Sequence, residues 1–167
     1  MSSEDHKTVA PSRVRAFVLT VSDTRTDDTD TSGFAICELL KAAGHHVAGK
    51  AIEQDDPARV AELVRQQAVI AEVDAIITTG GTGLTSRDST FEAIDALLTK
   101  RLPGFGELFR MLSYEQIGSA AMMSRACAGT IGNVVVISLP GAEKAVRLAM
   151  DKLVLPELAH LVQQAEK

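Results

Sequence analysis

Cysteine is scarce in this sequence of 167 residues, which contains only two. Cys37 and Cys127 lie far apart, with no second thiol near either. Isolated cysteines of this kind form neither a zinc-ligand set nor a redox pair. Because free cysteine is usually buried, we predict that both are small residues of the core.

Positive charge is also in deficit. The chain has 17 basic and 22 acidic side chains, a formal net charge of −5 and a pI near 5.3. It therefore lacks the basic surface that binds nucleic acid through counterion release, and anionic lipid would repel it. The charge balance favours a small molecule or another protein as the partner, with no nucleic acid and no membrane.

No apolar run is suited to crossing a membrane. The longest uncharged stretch, from Ala126 to Ala142, is interrupted by Gly129, Gly132 and Pro140, which a membrane-spanning helix would not tolerate well. Residues 1–12 are polar and lack the apolar region of a signal peptide, so we expect a disordered tail there. The length suits one domain over residues 13–167, which we expect in the cytoplasm.

Segments typical of strands alternate with segments typical of helices. Apolar, β-branched runs predict strands at Val14–Val21, His46–Ile52, Ala75–Thr79 and Val134–Ser138. Helical spacing predicts helices over 32–43, 56–72, 89–98, around 105–112 and 119–125, and after Gly141. The alternation indicates an α/β fold of three layers, in which a mostly parallel sheet carries helices on both faces.

Three predictions concern the ends of helices. Asp56 before Pro57 is typical of an N-cap followed by the first helical residue. Ser89 and Glu92 have the spacing of a capping box. Pro156 is expected to kink or break the C-terminal helix near Lys152.

Polar residues and glycines follow the predicted strands, where ligands of such sheets bind. They are Ser22, Asp23, Asp55, Gly80, Gly81, Thr82, Gly83, Pro140 and Gly141. Three glycines in four residues let backbone amides approach a phosphate closely. The loop lacks the lysine of a Walker motif and the third glycine of a dinucleotide fingerprint, so a plain tight turn explains it equally well.

Two carboxylates give this edge a more specific character. Asp88 follows the glycine loop, where a negative charge would repel phosphate unless a magnesium ion lay between them. Asp55 has no capping role, because Asp56 fills it. Together they predict a Mg²⁺ site for phosphoryl or nucleotidyl transfer, although a helix cap is an equal alternative for Asp88.

The remaining polar motifs are less specific. The loop from Asp23 to Thr31, with Asp27, Asp28 and Asp30, lacks the glycine and glutamate of a calcium loop, and we interpret it as a solvated, mobile lid. Ser124 and Arg125 form a candidate anion-binding pair, for which a surface salt bridge of Arg125 is the alternative.

Five sequence blocks, in order, carry a resemblance to a known family. They are Thr20–Asp23, Asp30–Gly33, Ile77–Asp88, Ser124–Gly129 and Leu139–Gly141. From about Val14 to Leu161 the chain resembles the MoaB/MogA family of molybdenum cofactor biosynthesis proteins. The segment from Gly104 to Gly118 is similar to the MoaB branch in particular.

The resemblance implies a molybdopterin-binding fold that assembles as a trimer or hexamer, with other molybdenum cofactor biosynthesis proteins as candidate partners. Active members adenylylate molybdopterin with Mg-ATP and release pyrophosphate before metal insertion. Asp55 and Asp88 match the two catalytic positions. The nucleotide side is matched by Gly80, Gly81, Thr82, Gly83, Pro140 and Gly141, and the surroundings of the pterin by Ser22, Asp23, Ser124 and Arg125.

The main alternative is a non-catalytic molybdopterin-binding or carrier protein of the same fold. In family members without activity, the acidic pair or the Arg-Asp of the loop is altered, whereas this chain keeps Asp55, Arg87 and Asp88. Ser86 stands where many active relatives have proline, which bears on rate. A phosphoacceptor receiver domain is disfavoured, because it needs an aspartate where the third strand ends in Thr79.

Apolar residues between the core strands leave two interpretations open. They are Phe105, Phe109, Met111, Leu112, Met122 and Met123. Some of them can exceed what one small domain buries and so form a subunit interface, and core packing is the alternative.

Overall fold

A six-stranded sheet forms the centre of the chain in the computed structural model, which describes residues 13–167. The strands are β1 (Arg15–Val21), β2 (His46–Glu53), β3 (Ala75–Thr79), β4 (Lys100–Arg101), β5 (Cys127–Ile131) and β6 (Val134–Leu139). Their order is β2-β1-β3-β6-β5-β4, and the first four are parallel. The predicted tail over 1–12 lies outside the described residues.

Six α-helices within residues 13–167 connect and follow the strands. They are α1 (Thr31–Ala42), α2 (Pro57–Ala68), α3 (Thr90–Leu97), α4 (Pro103–Ile117), α5 (Glu143–Ala149) and α6 (Leu155–Ala165). A 3₁₀ turn over Gly118–Met123 follows α4, and a π turn over Met150–Val154 joins α5 to α6.

Each face of the sheet has its own apolar core. Ile36 and Leu40 of α1 pack on one face with Phe109 of α4 and with the buried side of the C-terminal helices. Val60 and Val64 of α2 and Ile94 of α3 pack on the other face. The predicted three-layer α/β fold is therefore confirmed.

The sheet also has an antiparallel edge that the sequence pattern does not predict. β5 pairs antiparallel with β6 across a turn in which Gly132 has φ +57°, and β4 pairs with β5. A Cβ at Gly129 of β5 would overlap the Lys100 carbonyl of β4. The glycine that permits this pairing also removes the alternation by which a strand is recognised.

The predicted helix starts have different outcomes. Asp56 is an N-cap as predicted, since its Oδ1 accepts from the N–H groups of Ala58 and Arg59 at 2.9 and 3.0 Å. Helix α2 ends at Ala68, four residues before the predicted end. The capping box is wrong: Ser89 occupies the cap position without a side-chain hydrogen bond, and Glu92 pairs with Arg125 instead.

The expected kink or break at Pro156 takes the form of a π turn. The ring of Pro156 lacks an N–H and would clash with the carbonyl of Lys152 in a regular α-helix. The wider turn over Met150–Val154 accommodates the ring, and the helical chain continues to Ala165.

The apolar residues considered for an interface divide into two groups. Phe105 and Phe109 belong to the core, whereas Met111, Met122 and Met123 are exposed, and Leu112 is half-buried. Core packing therefore accounts for the two phenylalanines, and the subunit interface stays a prediction for the methionines.

Neither cysteine has a thiol suited to reaction. Cys37 is buried as predicted, and Cys127 is partly buried with its thiol pKa raised by burial to about 12. No helix in residues 13–167 has both the length and the apolar character needed to cross a membrane.

We expect Asp56→Ala to lower the free energy of unfolding by about 1 kcal/mol, because it removes the side chain that accepts from two backbone N–H groups at the start of α2. Urea unfolding followed by circular dichroism measures this change. Asp28→Ala, at an exposed position, is the matched control and should have little effect. Equal stability of the two variants would show that the cap does not stabilise the fold.

Candidate active site

A polar cleft lies at the carboxyl edge of the parallel strands. The register places Thr20 of β1 beside Thr79 of β3, and Thr79 beside Leu139 of β6, so these strands end at one level. The cleft has a volume of 320 Å³ and lies where the strand order reverses, between β1 and β3. Ligands of open α/β sheets bind at such a point.

The cleft brings together seven of the predicted site residues. They are Ser22, Asp23, Asp55, Gly80, Gly81, Asp88 and Gly141. Thr82, Gly83, Ser124, Arg125 and Pro140 do not line it. The Pro140 carbonyl instead accepts a hydrogen bond from the Thr79 hydroxyl at 2.8 Å, which fixes the end of β6 against β3.

Two glycines of the loop occupy positions where a residue with a side chain does not fit. Gly80 and Gly81 have φ values of +96° and +67°, which side chains with a Cβ rarely adopt. A Cβ at Gly80 would overlap the Val21 carbonyl, and one at Gly81 would lie 2.6 Å from the hydroxyl of Thr90. The loop therefore touches β1 and the start of α3 with its bare backbone.

Each of the two predicted catalytic carboxylates has one oxygen held by a threonine. Asp55 Oδ1 accepts from the Thr90 hydroxyl at 2.8 Å. Asp88 Oδ2 accepts from both the backbone N–H and the hydroxyl of Thr85, so Asp88 closes its own turn and does not cap α3. Within residues 13–167, the other oxygen of each carboxylate accepts no hydrogen bond.

This donor set fits a magnesium ion. Mg²⁺ usually binds one or two carboxylates together with water and substrate phosphates. Within the described part of the chain, no three His, Cys, Asp or Glu side chains group as a complete metal site. Asp55 and Asp88 could thus hold a cation only in a shared site, completed by a ligand.

A second polar cleft adjoins the first. Its volume is 400 Å³, and Asp23 and Asp55 line both spaces. The backbone N–H of Asp55 donates to Asp23 Oδ1 at 3.0 Å, and Arg87 lines the second cleft with its guanidinium 3.7 Å from Asp23. Asp55 therefore stands between two spaces large enough for two different ligands.

Arg125, a predicted anion ligand, is engaged with the protein itself. Its Nε donates to the Thr82 carbonyl at 2.9 Å, and its Nη2 donates to the carbonyls of Gly83 and Asp88. Its Nη1 pairs with the carboxylate of Glu92, whose pKa this contact lowers. Arg125 thus fixes the glycine loop to the segment that carries Asp88, and the salt bridge foreseen as its alternative role is also present.

An aromatic ring completes the contacts of Arg125. The guanidinium carbon lies 4.8 Å above the ring centroid of Phe91, a cation–π distance. Ser124 beside it donates its backbone N–H to the Ala121 carbonyl. Arg125 therefore supports the loop, whereas the hydrogen bond of Ser124 only closes the 3₁₀ turn before it.

Asp30 also lines the cleft, although the sequence pattern does not predict it as a site residue. It is 3% exposed, and its Oδ1 accepts from the Gly33 N–H at 3.0 Å, so it caps α1. Its Oδ2 accepts from the Thr20 hydroxyl and from Lys50, both at 2.7 Å. Burial raises the pKa of Asp30, but these contacts outweigh it and the pKa is lowered.

The interpretation of the acidic loop as a solvated lid is therefore wrong for Asp30, although Asp27 and Asp28 are exposed. The position of Asp30 directly before the helical pattern is the capping signal that could have identified it. No sequence signal links Lys50 to it, because the two lie on different elements. Ser32 of α1 also lines the cleft and donates to the Gly141 carbonyl at 2.7 Å.

Comparison with known proteins agrees with this site. A family model described as "Probable molybdopterin binding domain" matches residues 17–160. Molybdenum cofactor biosynthesis protein B of Bacillus cereus is 55% identical over 167 residues, covering 96% of each chain. The protein of the same name from Bacillus subtilis is 52% identical and covers 100% of this chain and 99% of its own.

Solved structures agree as well. A crystal structure of Molybdenum cofactor biosynthesis protein B matches with a TM-score of 0.91 at 53% identity, covering 94% of this chain and 98% of that one. The tungsten cofactor synthesizing protein MoaB of Pyrococcus furiosus matches with a TM-score of 0.84 at 38% identity, covering 95% and 100%.

The fold and the cleft thus define a protein of the molybdopterin-binding class. Within that class the chain belongs to the MoaB/MogA family, in which its relatives carry the name Molybdenum cofactor biosynthesis protein B. The resemblance stated from the five sequence blocks is confirmed.

We expect Arg125→Lys to loosen the glycine loop, because an ammonium group cannot bind several carbonyls in the fixed geometry of a guanidinium. Losing one or two such bonds should speed amide hydrogen exchange between Gly81 and Asp88 by about tenfold or more. Arg65→Lys, on the exposed side of α2, is the control. Unchanged exchange in this loop would show that Arg125 does not hold it.

Proposed function

We propose that the protein acts in molybdenum cofactor biosynthesis by binding molybdopterin and transferring to it the adenylyl group of Mg-ATP. The observation that carries this proposal is the convergence of Asp55 and Asp88, each with one uncommitted oxygen, on a polar cleft bounded by a glycine loop. Its place is the cytoplasm, where nucleotide is available.

The reaction joins two anions. The terminal phosphate of molybdopterin attacks the α-phosphorus of ATP, a new P–O bond forms there, and the bond to the β-phosphate breaks to release pyrophosphate. When bound, Mg²⁺ supplies the positive charge that lets these phosphates approach each other. Asp55 and Asp88 would hold it through the oxygens that the threonines leave uncommitted.

The loop contributes contacts of its own. Gly80 donates its N–H to the Leu139 carbonyl at 3.1 Å, which anchors the loop on β6. The N–H of Gly81, which also lines the cleft, donates to no acceptor within the described residues. It is therefore suited to bind a phosphate oxygen.

The two adjoining clefts support a two-substrate reaction. Asp55, which would hold Mg²⁺, borders both spaces, so one carboxylate adjoins the space for each substrate. Arg87 in the second cleft offers positive charge to a ligand phosphate, since its pairing with Asp23 is long and its side chain is exposed.

We expect Asp55→Asn and Asp88→Asn to lower pyrophosphate release by about a hundredfold or more, roughly 3 kcal/mol of transition-state stabilisation. Asparagine keeps an oxygen for the threonine hydroxyl while removing the charge that binds the cation. The assay combines anaerobic molybdopterin, ATP and Mg²⁺, and molybdopterin binding is measured for each variant. Asp28→Asn, at an exposed position, is the control.

Two outcomes would count against adenylyl transfer. Wild-type protein that binds molybdopterin without releasing pyrophosphate would identify a carrier of the same fold. Variants that keep full activity would show that the two carboxylates hold no catalytic metal.

We propose further that the protein is a homo-oligomer, a trimer or a hexamer. Helix α4 and the following 3₁₀ turn carry several exposed large apolar side chains, and exposed apolar surface of this kind is typical of subunit interfaces. They are Leu108, Met111, Tyr114, Ile117, Met122 and Met123.

We expect Met122→Glu to dissociate the oligomer, because it places a charge among these apolar side chains. Sedimentation equilibrium measures the change in mass. Val69→Glu, at another highly exposed apolar position, directly after α2, is the control. A wild-type monomer would refute the proposed assembly.

A further inference from the structure

Lys50 reaches the wall of the cleft without lining it. It lies in β2, opposite Val18 of β1, and its ammonium group is 2.7 Å from Oδ2 of Asp30. Its side chain is only 24% exposed, and the other nearby carboxylate, Asp27, is 3.6 Å away and fully in solvent. Lys50 is thus committed to one buried carboxylate.

That carboxylate has an unusual position for a site that receives anions. Asp30 lines the cleft together with Asp23, Asp55 and Asp88, so four negative charges surround the space. A bound cation can offset the charges of Asp55 and Asp88. Both oxygens of Asp30, by contrast, already accept hydrogen bonds, from the Gly33 N–H of α1 and from the Thr20 hydroxyl. Among the lining residues within 13–167 the only basic one is Arg25, an exposed side chain whose Nη1 donates to the Thr29 carbonyl at 2.6 Å.

The contacts of Asp30 also connect to the far wall. As the cap of α1, Asp30 fixes the helix start from which Ser32 binds the Gly141 carbonyl. A Cβ at Gly33 would overlap both Asp30 and Thr20, so the start of α1 packs tightly against these two side chains. A shift of Asp30 would therefore move the loops that follow β1 and β6 together.

We propose that Lys50 is a positioning residue for the phosphate groups of the substrates, because it neutralises and fixes Asp30 at the cleft wall. The proposal rests on the proposed function, which supplies the premise that the ligands of the cleft are anionic. Without Lys50, the cleft keeps one uncompensated negative charge beside the site where phosphate binds.

A purely structural role would leave a different signature. Removing one member of a buried ion pair exposes an unpaired charge, whereas replacing both members with neutral groups is often tolerated. If Lys50 acts through charge, neutralising Asp30 as well should restore the affinity for phosphate ligands. If it acts only by packing, the double variant should bind as poorly as the single one.

The test measures dissociation constants for ATP with Mg²⁺ and for molybdopterin, with adenosine and dephosphorylated molybdopterin as uncharged counterparts. The variants are Lys50→Met, Lys50→Arg and Lys50→Met/Asp30→Asn. Lys41→Met, at an exposed position near the end of α1, is the matched control. Thermal unfolding of each variant reports loss of fold separately.

We expect Lys50→Met to weaken the binding of both phosphate ligands by about tenfold, because one unpaired charge is enough for a change of that size. Lys50→Arg and the double variant should recover most of this loss, and the uncharged counterparts should change little. Unaltered phosphate affinity in Lys50→Met, or equal loss for charged and uncharged ligands, would overturn the proposal.

The failure of the proposed function has its own signature. Wild-type protein that binds both ligands without releasing pyrophosphate would overturn adenylyl transfer and leave the binding comparison for Lys50 intact. Wild-type protein that binds neither ligand would overturn both proposals.

Discussion

The backbone of the glycine loop passes so close to the end of β1 that no side chain fits between them. Gly80 meets the Val21 carbonyl, and Gly81 meets Thr90 at the start of α3. Because the contact of Gly80 with Val21 is backbone against backbone, the ends of β1 and β3 lie at a spacing that leaves no room for a side chain. The threonine that touches Gly81 also donates to Asp55, so the position of the loop and the direction of this carboxylate depend on the same residue.

The parts of the site that could be predicted from the sequence depend on short-range patterns. Polar residues at strand ends gather at one edge because parallel strands share a direction, which is why Ser22, Asp55 and Gly80 were foreseen together. The capping role of Asp56 was foreseen for the same kind of reason, since it depends only on its immediate neighbours.

The parts that could not be predicted depend on contacts between distant elements. Lys50 reads in sequence as a polar residue of an edge strand, and only folding places it against Asp30. Arg125 reads as a cation available to a ligand, but the loop that it contacts lies about forty residues earlier. Glu92 pairs with Arg125 and does not form the predicted capping box, because a guanidinium is a stronger partner for a carboxylate than a backbone N–H. Competition of this kind is invisible to local patterns.

The π turn between α5 and α6 has a consequence for the phase of the C-terminal helix. Five of its buried residues recur at every fourth position, beside the buried Ala149 and Gln163: Val146, Met150, Val154, Leu158 and Val162. An α-helix has about 3.6 residues per turn, so such a repeat would drift around the helix and bring its last members onto the opposite side. One wider turn takes up about half of this excess rotation. The π turn therefore keeps these apolar residues on the side of the helix that packs on the sheet.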